Sequence, residues 1–220
     1  MLSIFQDQEG LESYYFEFSE KHDFLNFSRF FETQIFVISS QLSQNIFFTD
    51  AALVSFAYDA AGNNDYAEIG RLDELCTAVK LPEETRLASN KLGTRLLKVF
   101  QYDASHVLIN DYKQGINEHR IAGHYCIAFG MIAHALEIDK QEALTGFYYN
   151  AASGFITNAV KLIPLGQQEG QEILVSLFPM IASLVEQSIS PDKEMIGFCC
   201  AGFDIRSMQH QELYSRLYMS

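Results

Sequence analysis

Residues 139–163 read DKQEALTGFYYNAASGFITNAVKLI, and the spacing of their apolar side chains decides the fold class. Leu144, Tyr148, Ala151, Phe155, Ala159 and Leu162 recur every three or four residues, the signature of one helix face. Asp139 followed by Glu142 makes a capping-box-like start, and Pro164 stops the pattern. A helix over 139–163 is therefore expected. A second strip, Ala143, Gly146, Asn150 and Gly154, consists of small residues that would let a neighbouring helix or subunit approach closely.

Working outward, the period resumes after PLGQQEG (164–170) with Ile173, Leu174, Leu177, Ile181 and Val185. Pro179 is expected to kink or split that element, because proline removes a backbone donor. Ser190 with Pro191 reads as a further helix start. Upstream, Ile121, Tyr125, Ala128, Ile132 and Ala135 share one side of a helix, preceded by a break around Gly115. In LPEETRLASNKLGTRLLKVF (81–100), Pro82 suits the first helical position, and Glu83 and Glu84 complement the dipole. Ala88, Leu92, Leu96 and Val99 form its apolar stripe. Two more helices follow from the N-terminal third. One carries Phe24, Phe27, Phe31, Ile35, Ile38 and Leu42; the other runs from Ile46 to Ala60 and ends at GNND (62–65). QIFVISS (34–40) has strand-like composition but lies inside the longer helical period. No hairpin turn, repeat or linker interrupts the pattern. The expectation is one all-α domain over 1–220, with about eight to ten helices.

Composition narrows the function classes. The chain is 48% hydrophobic, enough for a substantial core, yet has no eighteen-residue apolar run that could span a membrane. MLSIFQDQEGLESYY lacks the basic region of a secretory signal, so a cytoplasmic location is expected. Acidic residues number 28 against 15 basic ones, a formal charge of −13, which repels phosphate backbones and argues against nucleic acid. Cys76, Cys126, Cys199 and Cys200 form no C-x-x-C pair and read as small hydrophobes in a reducing compartment.

Motifs for chemistry are sparse. KLGTRLLK (91–98) shares letters with a phosphate-binding loop but lies within a helix. His119 and His124 are five apart, which turns them to different sides of a helix, and Cys126 does not repair that geometry. A helical metalloenzyme using His119, His124 or Cys126 thus rests on residue type alone. No catalytic residue and no metal site is assigned. Two segments carry more information. In NAVKLIPLGQQEGQEIL (158–174), two glycines and three glutamines separate two apolar helices, either as a plain connection or as a polar surface for another protein. In DIRSMQHQELYSRLYMS (204–220), Leu213, Tyr214, Leu217 and Tyr218 would form an apolar stripe if helical, with Arg216 projecting elsewhere. That stripe suits either docking on its own core or anchoring a partner, since Tyr and Arg dominate interface hot spots.

AVKLIPLGQQEGQEIL (159–174) resembles the A-V-[KR]-x-x-P-L-[GS]-Q-x-x-G-Q segment of the UreF family of urease accessory proteins. DIRSMQHQELYSRLYMS resembles that family's ending, and GLESYY (10–15) its G-L-E-x-Y. The resemblance spans Gly10 to Ser220. Of the family's F-P-x-G-x-[FY]-x-H-S-x-G-L-E pattern only Gly10, Leu11 and Glu12 match, and Gln211 stands where the family has Glu. The shortened start implies a misassigned N-terminus, or a defective or regulatory copy. The resemblance implies an all-helical, dimerising and non-enzymatic protein. It would bridge UreD (UreH in some species) and the nickel-carrying GTPase UreG, so that nickel reaches apo-urease as GTP is hydrolysed. On that reading this chain holds no cofactor stably, and nickel and GTP are handled by the partner complex. The tail from Asp204 would become ordered on UreD/UreH through Asp204, Met208, His210, Leu213, Tyr214, Leu217 and Tyr218. Lys161 and Arg216 would face the GTPase, and Pro164, Leu165, Gly166, Gln167, Gly170 and Gln171 form the motif loop.

Overall fold

The computed structural model describes residues 24–100, 106–162, 166–198, 201–210 and 212, and all regular structure among them is helical. The chain enters as α1, Phe24–Ser40. It continues through a π-helical stretch, Gln41–Ala51, into α2, Ala52–Gly62, without leaving helical geometry. The sequence suggests two separate helices here; the structure widens one long helix instead. Local bonds account for this. Ser43 donates to the Ser39 carbonyl at 2.8 Å, Thr49 donates to the Asn45 carbonyl, and Asn45 donates to the Gln41 side chain at 2.7 Å. Hydroxyls that return to a carbonyl four residues back compete with the α-helical ladder.

After a turn at Asn64, α3 spans Tyr66–Val79, capped by the Asp65 carboxylate, which accepts from the Glu68 amide at 2.9 Å. Then come α4, Glu83–Val99, α5, Val107–Asn117, and α6, Tyr125–Ala135. Helices α2 and α6 pack most extensively on one another. Leu53, Val54, Ala57 and Ala60 of α2 are buried, as are Cys126, Ile127, Ala128, Met131 and Ile132 of α6. Helices with this many buried apolar side chains belong in the interior, and these two form the centre.

Helices α7, Lys140–Leu162, and α8, Gln167–Ser188, form an antiparallel pair against that centre. As the spacing predicts, Leu144, Tyr148, Phe155 and Ala159 face Ile173, Leu174, Leu177, Ile181 and Val185 within one core. Each fully buried Leu or Ile stabilises the fold by about 1.5–3 kcal/mol. Asp139 caps α7 as expected, accepting from the Gln141 and Glu142 amides at 2.8 and 3.3 Å. The helix α8 runs through Pro179 unsplit. Both Pro179 and Val175, whose carbonyl loses its partner, are exposed, so water can take the vacated bond. A 3₁₀ turn, Lys193–Met195, and α9, Ala201–His210, complete the described chain.

Several local expectations shift. Pro82 sits just before α4 in extended conformation, as its N-cap. Ser190 and Pro191 start no helix; Asp192 caps the 3₁₀ turn, accepting from the Glu194 amide at 3.0 Å. Gly115 lies inside α5, and Ile121 precedes α6 in a turn. The largest change concerns α4. Its expected stripe is only partly inward: Leu96 packs on the core and Ala88 is half-buried, but Leu92 is 48% and Val99 78% exposed, and the buried residues are Ser89, Gly93 and Leu97. The cause is proximity. A Cβ on Gly93 would lie 2.2 Å from the Gly123 carbonyl oxygen and 2.9 Å from the Tyr125 nitrogen. Only the small face of α4 can seat against the backbone entering α6.

Candidate functional site

Two of the predicted groups of residues fall on different supports. Lys161 lies exposed in the last turn of α7, and Gly166, Gln167 and Gln171 are exposed across the connection, at the start of α8. The Glu169 carboxylate accepts from the Gly166 amide, closing the first turn of α8. Gly170 is buried, because a Cβ there would sit 3.0 Å from Val160 and 3.2 Å from Ile156. That close approach pulls the start of α8 onto the end of α7 and leaves Lys161 and the glutamines on the outer side. The described ends of this segment are thus closely packed and carry a polar exterior. Pro164 and Leu165 lie outside the described residues.

The second group stands on α9, which packs on α4. His210 is buried at its end, and its Nδ1 lies 2.8 Å from Glu84 Oε2, in the first turn of α4. Ser207 is also buried, its hydroxyl without a hydrogen-bond partner among the described residues. Asp204 is half-buried, whereas Met208 and Ile205 are exposed. The helix is therefore held along one side by a short contact and presents apolar side chains on the other. Gly10, Leu11, Glu12, Leu213, Tyr214, Arg216, Leu217 and Tyr218 lie outside the described residues, as do Gln211, Cys199 and Cys200.

Histidines and cysteines gather elsewhere than a metal centre would need. His119 is exposed in a left-handed turn, φ 58°, while His124 is fully buried. Among the described residues no group of three or more His, Cys, Asp or Glu could hold a metal ion. The ligand set of the metalloenzyme reading is not assembled.

His124 instead belongs to a buried polar cluster that sequence reasoning missed. The Asp73 carboxylate, on the buried side of α3, accepts from Tyr112 Oη at 2.6 Å. It also accepts from the amides of Ala122, Gly123 and His124 at 2.7, 3.1 and 3.1 Å. Burial first, and the adjacent Asp73 carboxylate second, push the Tyr112 phenol well above its ordinary range, so it stays a donor. His124 Nε2 lies 2.9 Å from Thr77 Oγ1 and its Nδ1 3.1 Å from Ser89 Oγ. Because Thr77 donates to the Asp73 carbonyl, it accepts from Nε2–H, and Ser89 donates to Nδ1. Ser, His and Asp thus meet, but the carboxylate binds backbone amides rather than the imidazole. The cluster fixes the turn into α6; it is not a charge-relay system. The one sequence signal was an aspartate placed on the apolar side of α3 with Ile69, Leu72 and Cys76.

A surface cleft of about 370 Å³ is lined by Glu68, Arg71, Leu72, Leu75 and Lys193. Glu68 bridges Arg71 at 2.9 Å and Lys193 at 2.7 Å, and the hydrogen bond from Lys193, with the two cations, holds its carboxyl below the ordinary range. The charges are mutually satisfied, and nothing nucleophilic faces the cleft. No helix among the described residues is long and apolar enough to cross a membrane.

Comparison with known proteins gives a consistent result. The UreF family's sequence model matches residues 33–178. The chain is 46% identical over 183 residues to a urease accessory protein UreF of Actinobacillus pleuropneumoniae serotype 5b (strain L20), covering 83% of this chain and 81% of that protein. It is 45% identical over 183 residues to the UreF of Haemophilus influenzae (strain PittEE), covering 83% and 78%. A UreF of Bacillus sp. (strain TB-90) is 30% identical over 218 residues, covering 98% and 92%.

Proposed function

Because this chain belongs to the UreF family of urease accessory proteins, we propose that it serves urease maturation as a non-enzymatic scaffold. It bridges UreD/UreH on one side and the GTPase UreG on the other, so that nickel enters apo-urease as GTP is hydrolysed. Nickel and GTP are cargo and fuel of the partner complex rather than resident groups of this chain. The observation that carries the reading is the family match, which takes in the motif segment around Lys161. The geometry supports it: Lys161 at the end of α7 and Gly166, Gln167 and Gln171 at the start of α8 present an exposed polar face, suited to binding.

On this reading α9 and the residues after it are the UreD/UreH side, with Asp204, Met208, His210, Leu213, Tyr214, Leu217 and Tyr218 in contact. Lys161 and Arg216 are the UreG side, where Arg216 clamps a carboxylate or phosphate through charge-assisted bonds. The protein works in the cytoplasm and as a homodimer. A second copy is favoured by the outer face of the α7–α8 pair. There Tyr149, Val175 and Phe178 are exposed, and Cβ positions on Gly146 and Gly154 would meet nothing within 4 Å.

The test is co-purification of UreD/UreH and UreG with three forms: the full chain, a chain ending at Glu212 and a chain truncated before Asp204. Both truncations are expected to lose UreD/UreH, the first while keeping α9 intact. Equal recovery with all three would remove the tail from the mechanism. Arg216→Ala is expected to retain UreD/UreH while losing UreG and urease activation, and unchanged activation would make that residue incidental.

A further inference from the structure

Cys76 on α3 and Cys126 on α6 lie fifty residues apart in sequence, yet their Sγ atoms are 3.5 Å apart. Both are free thiols, and both are fully buried. A disulfide requires about 2.05 Å between sulfurs, so the pair must close by roughly 1.5 Å, a displacement on the scale of side-chain rotation. We infer that Cys76 and Cys126 are a modification site, a dithiol that a hydroperoxide converts reversibly into a disulfide tying α3 to α6.

The surroundings divide the roles. The hydrogen bond with Cys126, assisted by contacts with His124 and with the Lys80 ammonium, brings the Cys76 thiol down to about 7, against the opposing effect of burial. Burial pushes the Cys126 thiol well up. Lys80 is itself buried and grips both oxygens of Asp50 at 2.8 Å, which keeps a cation close to the sulfurs. Cys76 is therefore the thiolate that attacks, and Cys126 keeps its proton until the second step.

The chemistry balances as follows. The Cys76 sulfur attacks the terminal oxygen of ROOH, the O–O bond breaks, and RO⁻ leaves as ROH with the thiol's proton. The sulfenic acid so formed is attacked by the Cys126 sulfur. An S–S bond forms, the S–O bond breaks, and the hydroxyl leaves with the Cys126 proton as water. Two thiols are oxidised by two electrons, and one peroxide is reduced. The product closes a loop that contains α4, the helix carrying α9, so oxidation stiffens the platform on which the C-terminal segment is mounted. Because both sulfurs are buried, reaction waits on local opening and proceeds more slowly than at an exposed thiol.

The experiment treats the folded full-length chain with hydrogen peroxide, blocks residual thiols, digests with trypsin and maps the fragments without reduction. The expected product joins residues 72–80 to 121–140, lighter by two hydrogens than the two peptides and separated by dithiothreitol. Cys126→Ser is expected to abolish that product and leave a dimedone-reactive sulfenic acid at Cys76. The inference is overturned if the joined fragment forms only after denaturation. It is equally overturned if Cys76 links instead to residues 194–206, which carry Cys199 and Cys200.

Discussion

Replacing Gly93 with alanine adds one methyl group where, among the described glycines, a Cβ would come nearest to neighbouring backbone. Alanine is intrinsically the better helix former, by about 1 kcal/mol in a helix interior, so sequence alone predicts a more stable protein. The structure predicts the reverse. The new Cβ would stand 2.2 Å from the Gly123 oxygen, 2.8 Å from the His124 carbonyl carbon and 2.9 Å from the Tyr125 nitrogen. All three are backbone atoms of the turn into α6, so no rotamer change relieves the clash. That turn is also clamped, since Asp73 accepts from three of its amides. Overpacking costs about 1–3 kcal/mol and sometimes more; a rigid backbone neighbour puts this site at or above the upper end. After the propensity gain is subtracted, Gly93→Ala should destabilise by about 2 kcal/mol, lowering the melting temperature by about 4–8 °C in a chain of this size. Gly154→Ala supplies the control. It carries the same propensity gain but meets nothing within 4 Å in its own protomer, so at concentrations where the protein is monomeric it should raise stability by about 0.5–1 kcal/mol. Urea denaturation of the three proteins separates the two effects. If Gly93→Ala is as stable as the parent while Gly154→Ala behaves as stated, α4 does not seat on its glycine face.

The other expectations concern polar groups. Asp73→Ala leaves Tyr112 and three amides without their acceptor in the interior and should cost about 3 kcal/mol or more; an equilibrium loss below 1 kcal/mol on the same urea scale would contradict the cluster's role. Removing His210 by His210→Ala should loosen α9 from α4 without unfolding the core. The readout is faster hydrogen exchange across 201–210, with α2 and α6 unaffected. Glu68 has a folded-state carboxyl held below its ordinary range by the Lys193 hydrogen bond. The folded protein therefore binds fewer protons than the unfolded one, and this stability is complete above the ordinary glutamate range. It is lost as the pH falls through the lower folded value. Because the Glu68 carboxylate is half-buried and its ion pairs lie at the surface, where solvent screens them, Glu68→Gln should remove no more than about 0.5 kcal/mol of acid dependence, checked by comparing unfolding at neutral and acid pH.

Why some of this was legible in the sequence and some was not follows from how each element is held. The α7–α8 pair is held by large apolar side chains at regular spacing, so Leu144, Tyr148, Phe155, Ile173 and Leu177 announce it. Helix α4 is held by a different device. Its buried face is Ser89, Gly93 and Leu97, two small residues and one large, and a search for apolar stripes finds Leu96 on the core side but also selects Leu92 and Val99, which stay outside. The error carries information. A helix that keeps Leu87, Leu92 and Val99 exposed after folding has surface left for something else, and α9 is already mounted on that helix. The π-helical stretch escaped notice for a related reason: its cause lies in hydroxyls returning to nearby carbonyls, which the apolar period does not record. The Asp73 cluster and the two cysteines could not be paired from sequence, because α3 and α6 meet only after α4 and α5 have closed the loop between them. The motif loop was the reverse case. Gly170 could be singled out by letter, but its reason, the approach of Val160 and Ile156, exists only in three dimensions. That contact turns Lys161 and the glutamines outward, so the same glycine that brings the start of α8 onto the end of α7 also makes their polar face available.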